Sequence, residues 1–188
     1  MFAKFWRGIV YIFSKLYWSS ERKSLLECGQ NAYIEYPFVL IGAKYIKIGD
    51  NFYAYKRLQL EAHDKHNGIS FSPCIEIGNN VSINYDVHIA ACNKVTIGDG
   101  TLIASKVFIT DHFHGNTTED DLKIPPQERS LYSKGEVRIG KNVWIGEGVV
   151  IMPGVCIGDN AVVGANSVVT KDVPNNSVVV GNPARALS

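Results

Sequence analysis

The sequence predicts an all-β solenoid, in which short parallel strands wind into stacked three-sided coils. Three observations lead there. An isoleucine or valine returns at every sixth position, a small residue stands beside it, and two polar stretches interrupt the count without breaking it.

The six-residue step runs through Ile77, Ile83 and Ile89, then through Ile97, Ile103 and Ile109. It is longest in Ile139, Ile145, Ile151, Ile157, Val163 and Val169, with a fainter copy upstream at Ile48, Ala54 and Leu60. The following residue is usually small, as at Gly78, Ala90, Gly98, Ala104, Gly140, Gly146, Gly158 and Gly164. Four places after many of them stands a valine, as at Val81, Val87, Val107, Val143, Val149 and Val155. A period of six fits neither an amphipathic helix nor a long alternating strand. It fits short strands that each end in a corner, with the β-branched residue inward and glycine or alanine easing the turn. Three such sides make a coil of about 18 residues, and stacked coils pair as parallel strands. The spacing does not set the hand of the coil. General chain chirality favours right-handed crossovers in about 98% of cases.

Composition excludes several function classes. The chain has 188 residues, enough for one domain with a real core. Lys+Arg number 19 against 18 Asp+Glu, so no broad basic face suits nucleic acid. Cys28, Cys74, Cys92 and Cys156 form no CxxC pair, which argues against a zinc knuckle or redox couple and fits a reducing, cytoplasmic setting.

The first 20 residues differ in character. They carry Lys4, Arg7 and Lys15, no acid, and apolar residues at helical spacing: Phe2, Phe5, Trp6, Ile9, Phe13, Leu16 and Tyr17. The uncharged run is far short of the ~20 residues of a membrane span, and no small-x-small cleavage site follows. The expectation is an amphipathic helical segment over residues 1–30 that caps the open core of the solenoid. The alternative is a helix lying on the inner face of an anionic membrane. Residues 31–188 then form the main domain, with an insertion over 111–136.

Residues 137–185, VRIGKNVWIGEGVVIMPGVCIGDNAVVGANSVVTKDVPNNSVVVGNPAR, resemble the signature of the hexapeptide-repeat acyltransferases. The resemblance runs from about Ile48 to Arg185, and is greatest to the sugar O-acetyltransferases of the maltose, galactoside, colanic-acid and lipopolysaccharide kind. It implies a left-handed parallel β-helix, a homotrimer, and acetyl-CoA bound as co-substrate between subunits, with no metal required. The acceptor it implies is a sugar or surface glycan, which the basic aromatic N-terminus would place near a membrane.

Acetyl transfer to a hydroxyl needs a base, donors for the oxyanion and both substrates held in line. Histidine suits the base role, its ordinary pKa of ~6.5 lying near working pH. The insertion at 111–136 begins DHFHG, and counting hexads from Ile109 puts His112 fourth and His114 sixth. The base of similar enzymes also sits sixth, which favours His114, with His112 as the alternative. Trp144 matches a tryptophan placed beside the thioester or acceptor in similar enzymes. The resemblance implies Gly146 and Ala165 beside the pantetheine arm, and Thr170, Lys171 and Arg185 at the nucleotide end, where basic groups meet phosphate. Asn84 and Asp86 match an acceptor-contacting NxN pair, with Asp in place of the second Asn. His63, His66 and His88 read as ordinary loop or surface residues.

Other chemistries fit the same scaffold. His88 with His112 and His114 could supply three zinc ligands, as in γ-class carbonic anhydrases. Acetyl could also go to the amine of an amino-sugar nucleotide, or the chain could be a non-catalytic membrane-bound assembly factor.

Overall fold

The computed structural model describes residues 2–187, apart from the side chains of residues 2–5 and 7. Phe2, Lys4, Phe5 and Arg7 of the expected N-terminal helix therefore have side chains outside the described residues. The expected solenoid is present as a triangular prism. Its first face runs through six strands from Glu27–Cys28 to Cys156–Ile157, its third through six from Val39–Ile41 to Val168–Val169. The second face begins at Tyr33–Ile34 and ends at Val178–Val180, closed by an antiparallel strand at Arg185–Ala186. Apart from that closing strand, neighbours within each face pair in parallel and in register, as Ile83 does with Ile103 and Ile103 with Ile145.

The six-residue step fills the core. Ile48, Ala54, Leu60, Ile77, Ile83, Ile89, Ile97, Ile103 and Ile109 are all buried, as are the six from Ile139 to Val169 and all the valines four places on. β-Branched residues suit these sites because one χ1 rotamer packs well on a pleated, buried surface.

One corner explains the glycine and asparagine pattern. After the first-face strands, Gly49, Gly78, Gly98 and Gly140 lie against the next coil's backbone, and a Cβ on Gly98 would stand 2.6 Å from the Gly140 carbonyl carbon. The following side chains stitch the coils: Asp50 N–H donates to Asn79 Oδ1 and Asn79 N–H to Asp99 Oδ1, both at 2.8 Å. Asn51, Asn80, Asn142 and Asn160 then sit at φ of 54–57°, a left-handed conformation that asparagine tolerates.

The solenoid starts earlier than the repeat indicates. A full coil precedes Ile48, with strands Glu27–Cys28, Tyr33–Ile34 and Val39–Ile41. Cys28, Ile34 and Leu40 hold its inward positions, but lone cysteine and leucine give no β-branched periodicity to count. Consequently the first strand falls within residues 1–30, and the helix itself, α1, covers Phe2–Glu21.

The second half of α1 packs on this first coil. Trp18 is buried and its Nε1–H donates to the Ala32 carbonyl at 2.7 Å, while Ser14 Oγ lies 2.6 Å from the Tyr33 hydroxyl. The opposite side of the helix carries an exposed apolar strip. Trp6, Ile12 and Leu16 are 63%, 59% and 67% exposed. No described helix is long and apolar enough to cross a membrane.

Candidate active site

The edge between the third and first faces carries both polar insertions. One leaves after Ala62 and forms the hairpin Lys65–His66 with Ile69–Ser70. The other leaves after Thr110, and His112–His114 pairs antiparallel with Leu131–Ser133, His114 opposite Leu131. The two insertions fasten to each other: His66 Nε2 lies 3.0 Å from the Arg129 carbonyl, and Asn67 Nδ2 donates to the Gln127 carbonyl at 3.0 Å. Between them the chain turns tightly through Cys92 and Asn93.

Asp111 fills that gap. It is the first residue after a buried strand and is itself fully buried. Its Oδ1 accepts from Cys92 N–H at 2.9 Å and its Oδ2 from Asn93 N–H at 2.8 Å. Oδ1 also lies 2.8 Å from His112 Nδ1. A carboxylate oxygen that accepts here requires Nδ1 to carry the hydrogen, which leaves the His112 Nε2 lone pair free. The His112 side chain is only 9% exposed, so its ring orientation is fixed by burial as well as by Asp111.

All five histidines of the chain converge on this edge. His63, His88, His112 and His114 line one cavity of about 370 Å³ with Glu61 and Phe108. His66 packs edge-on to His114, ring centres 5.4 Å apart, and His63 likewise to His112 at 5.9 Å. The surrounding loop desolvates the His114 ring, and His66, His112, His63 and Arg129 add repulsion, so its pKa lies below the usual histidine value. His63, His66 and His88 are thus not scattered surface residues. The sequence places them in three different coils or loops, and nothing local links them.

Metal-binding chemistry has one candidate group among the described residues, Cys92, Asp111 and His112. Its Asp111 oxygens are already occupied by two backbone N–H groups and an imidazole. Burial, then the Asp111 carboxylate, pushes the Cys92 thiol up to about 12, which keeps it a thiol and a poor ligand. His88, His112 and His114 line the same cavity, but their ring nitrogens do not form such a group.

The remaining candidates lie elsewhere on the prism. Thr170 and Lys171 are exposed on the same edge as the histidines, two coils further along. Trp144 stands on the outside of the second face, 54% exposed. Asn84 and Gly146 share the second-to-third edge, where Asn84, Ala104, Gly146 and Gly164 stack through successive backbone hydrogen bonds of 2.8–2.9 Å. Ala165 is the exposed residue after Gly164. Asp86 lies at that edge too, at φ 60°, ion-paired with Arg57, whose guanidinium holds the carboxyl below its ordinary range. Arg185 is exposed in the terminal antiparallel strand, opposite Val180. Within one chain the histidines and the Trp144–Gly146–Ala165 group therefore occupy different edges.

Residues 136–171 match the bacterial transferase hexapeptide family, six repeats. The lipopolysaccharide biosynthesis O-acetyl transferase named WbbJ of Escherichia coli (strain K12) is 44% identical over 158 residues, which cover 82% of this chain and 76% of that one. The structure of a galactoside acetyltransferase in complex with coenzyme A superimposes with a TM-score of 0.62 at 35% identity, covering 90% of this chain and 68% of that chain. An N-acyltransferase of Bacillus cereus, AntD, superimposes with a TM-score of 0.74 at 22% identity over 90% and 87% of the two chains, a likeness of fold. The fold shared with these structures is the left-handed β-helix.

Proposed function

The chain belongs to the bacterial hexapeptide-repeat acyltransferases and is an O-acetyltransferase, and we propose that it moves acetyl from acetyl-CoA to a sugar or glycan hydroxyl with His112 as base. The observation that carries the assignment of the base is the buried Asp111 carboxylate 2.8 Å from His112 Nδ1. It replaces the hexad count, which favours His114. Among the described residues His114 has no carboxylate partner, and it extends along a hairpin that leaves the coil. Its weakened basicity suits it to accept or donate a hydrogen bond at the mouth of the site.

His112 Nε2 removes the proton of the acceptor hydroxyl as that oxygen attacks the thioester carbonyl carbon. The C–S bond then breaks, and the imidazolium returns the proton to the departing CoA thiolate. Asp111 stabilises the transient imidazolium and holds the productive tautomer throughout. No group of the chain becomes acylated.

The second-to-third edge suits the donor. Ala104, Gly146 and Gly164 leave a strip without large side chains where the pantetheine arm can lie against backbone. Ala165 borders it, Trp144 stands on the adjoining face and Arg185 offers a cationic group for the nucleotide end, while Thr170 and Lys171, on the histidine edge, would reach it from the facing copy. Because this edge and the histidine edge are different edges of one prism, two copies must meet to complete a site, as a homotrimer would arrange. Asn84 is positioned for the acceptor from that neighbouring edge, and Asp86 contributes through its pair with Arg57.

The apolar strip of α1 that stays exposed, with Trp6, Ile9, Ile12 and Leu16, fits the headgroup layer of an anionic membrane. That reading puts the enzyme at the cytoplasmic membrane surface, where a lipid-linked glycan would be within reach. Trp6→Glu with Leu16→Glu should release the protein from phosphatidylglycerol vesicles without lowering transfer to a soluble acceptor. Undiminished vesicle binding would refute the membrane contact.

The activity is tested with labelled acetyl-CoA and a panel of hydroxyl- and amine-bearing sugars. Wild type should label a hydroxyl, and His112→Ala should lose about 100-fold or more of kcat. Full activity in His112→Ala would overturn the assignment of the base.

A further inference from the structure

The cavity in front of His112 holds polar groups that the transfer step does not use. Glu61 is only 18% exposed at its side chain and lies between two imidazoles, 3.2 Å from His63 Nε2 and 3.6 Å from His88 Nε2. The second distance is too long for a hydrogen bond, and His88 Nε2 is buried without a partner. A buried ring nitrogen and a buried carboxylate so placed share one unfilled hydrogen-bonding opportunity, which is costly to leave unmade. Glu61, His88 and Phe108 all project from the outer side of the third face, on three successive coils. The Phe108 ring lies 5.1 Å from His88. Ala90, Phe113 and Met152 supply the rest of the apolar lining, and among the described residues no lysine or arginine lines the cavity.

We propose that Glu61 and His88 form the acceptor subsite, and that its ligand is an uncharged hexose bound through hydroxyls next to the one acetylated. The inference rests on the O-acetyltransferase reading above for the direction of the acetylated hydroxyl, towards His112. One sugar hydroxyl donates to Glu61 and accepts from His88, filling the gap between them. Phe108 and Met152 take an apolar face of the ring, the usual combination of a few fixed polar groups in a largely apolar pocket. An anionic sugar meets the Glu61 carboxylate with no lysine or arginine among the described lining residues to offset it, so a uronate or a sugar phosphate is disfavoured. Glu61 and His88 are specificity residues for the acceptor, separate from the base.

The test compares wild type, Glu61→Gln and His88→Phe with four methyl glycosides: a neutral hexoside, the matching uronate, the 6-phosphate and the 2-amino sugar. Binding is titrated calorimetrically without acetyl-CoA, so the result does not depend on turnover, and acetyl transfer is measured in parallel. Wild type should bind the neutral hexoside most tightly. Glu61→Gln should weaken that binding about tenfold or more, narrow the discrimination against the uronate, and leave the KM for acetyl-CoA unchanged. His88→Phe should weaken the neutral hexoside without restoring the uronate. Unaltered affinity and unaltered neutral-to-anionic preference in Glu61→Gln would overturn the subsite, as would no glycoside binding to wild type. A wild-type preference for the amino sugar that Glu61→Gln abolishes would also overturn it, by assigning Glu61 to an ammonium. Glycoside binding as expected with no transfer to any hydroxyl would leave the subsite standing and remove the O-acetyltransferase reading.

Discussion

Asp111 Oδ1 stands 2.8 Å from His112 Nδ1, and the same carboxylate closes the tight turn of the coil before it by accepting from Cys92 and Asn93 N–H. The residue that orients the imidazole is therefore also a structural clamp between coils. Asp111→Asn separates the two roles. An amide can still accept through one oxygen, but its NH2 cannot replace the second acceptor and no longer stabilises an imidazolium. We expect a kcat loss of about 100-fold or more at little change in KM for acetyl-CoA, with a thermal midpoint lower by several degrees. A steady-state assay and a thermal melt read the two effects, and full kcat in a folded variant would remove Asp111 from the mechanism.

His114 gives a pH signature. Its folded pKa is lowered, first by desolvation and then by the nearby histidines and Arg129. The unfolded chain therefore binds more protons than the native state between the lowered value and the ordinary 6.5. Stability is full above pH 6.5 and falls as the pH drops below it. His114→Gln should therefore melt less differently from itself between pH 8 and pH 5 than wild type does. Equal acid sensitivity in the two proteins would show that His114 is not the strained group.

Ile103 is fully buried at an inward position of the second face, paired with Ile83 and Ile145 on either side. Ile103→Ala leaves a cavity that the two neighbouring coils cannot close. The expected loss is about 3 kcal/mol, measured by denaturant unfolding, and it should act on the whole solenoid because each coil is supported only by its neighbours.

Gly98 tests the corner geometry. In Gly98→Ala the new methyl meets the carbonyl carbon and oxygen of Gly140 at 2.6 Å, and neither can move without parting the coils. A loss of about 1–3 kcal/mol is expected. Gly68→Ala is a useful contrast, since nothing lies within 4 Å of its Cβ position. Its cost comes only from a φ of 82°, about 1 kcal/mol.

The sequence by itself determined the coil. Each inward isoleucine or valine and each corner glycine obeys a rule that acts within six residues, so the solenoid and most of its core could be counted along the chain. The first coil escaped because Cys28 and Leu40 stand where β-branched residues would have marked it. The histidine site was legible only in part. Counting carried the register across the 111–136 insertion as if the chain continued along the coil, whereas the chain turns out into a hairpin at His112. Only the stacked structure decided that Asp111 meets the backbone of residues 18 and 19 places earlier. It alone brought His63, His66 and His88 to His112 and His114. Those contacts depend on which positions of successive coils share an edge and how two insertions close on each other, and no periodicity within one coil encodes either.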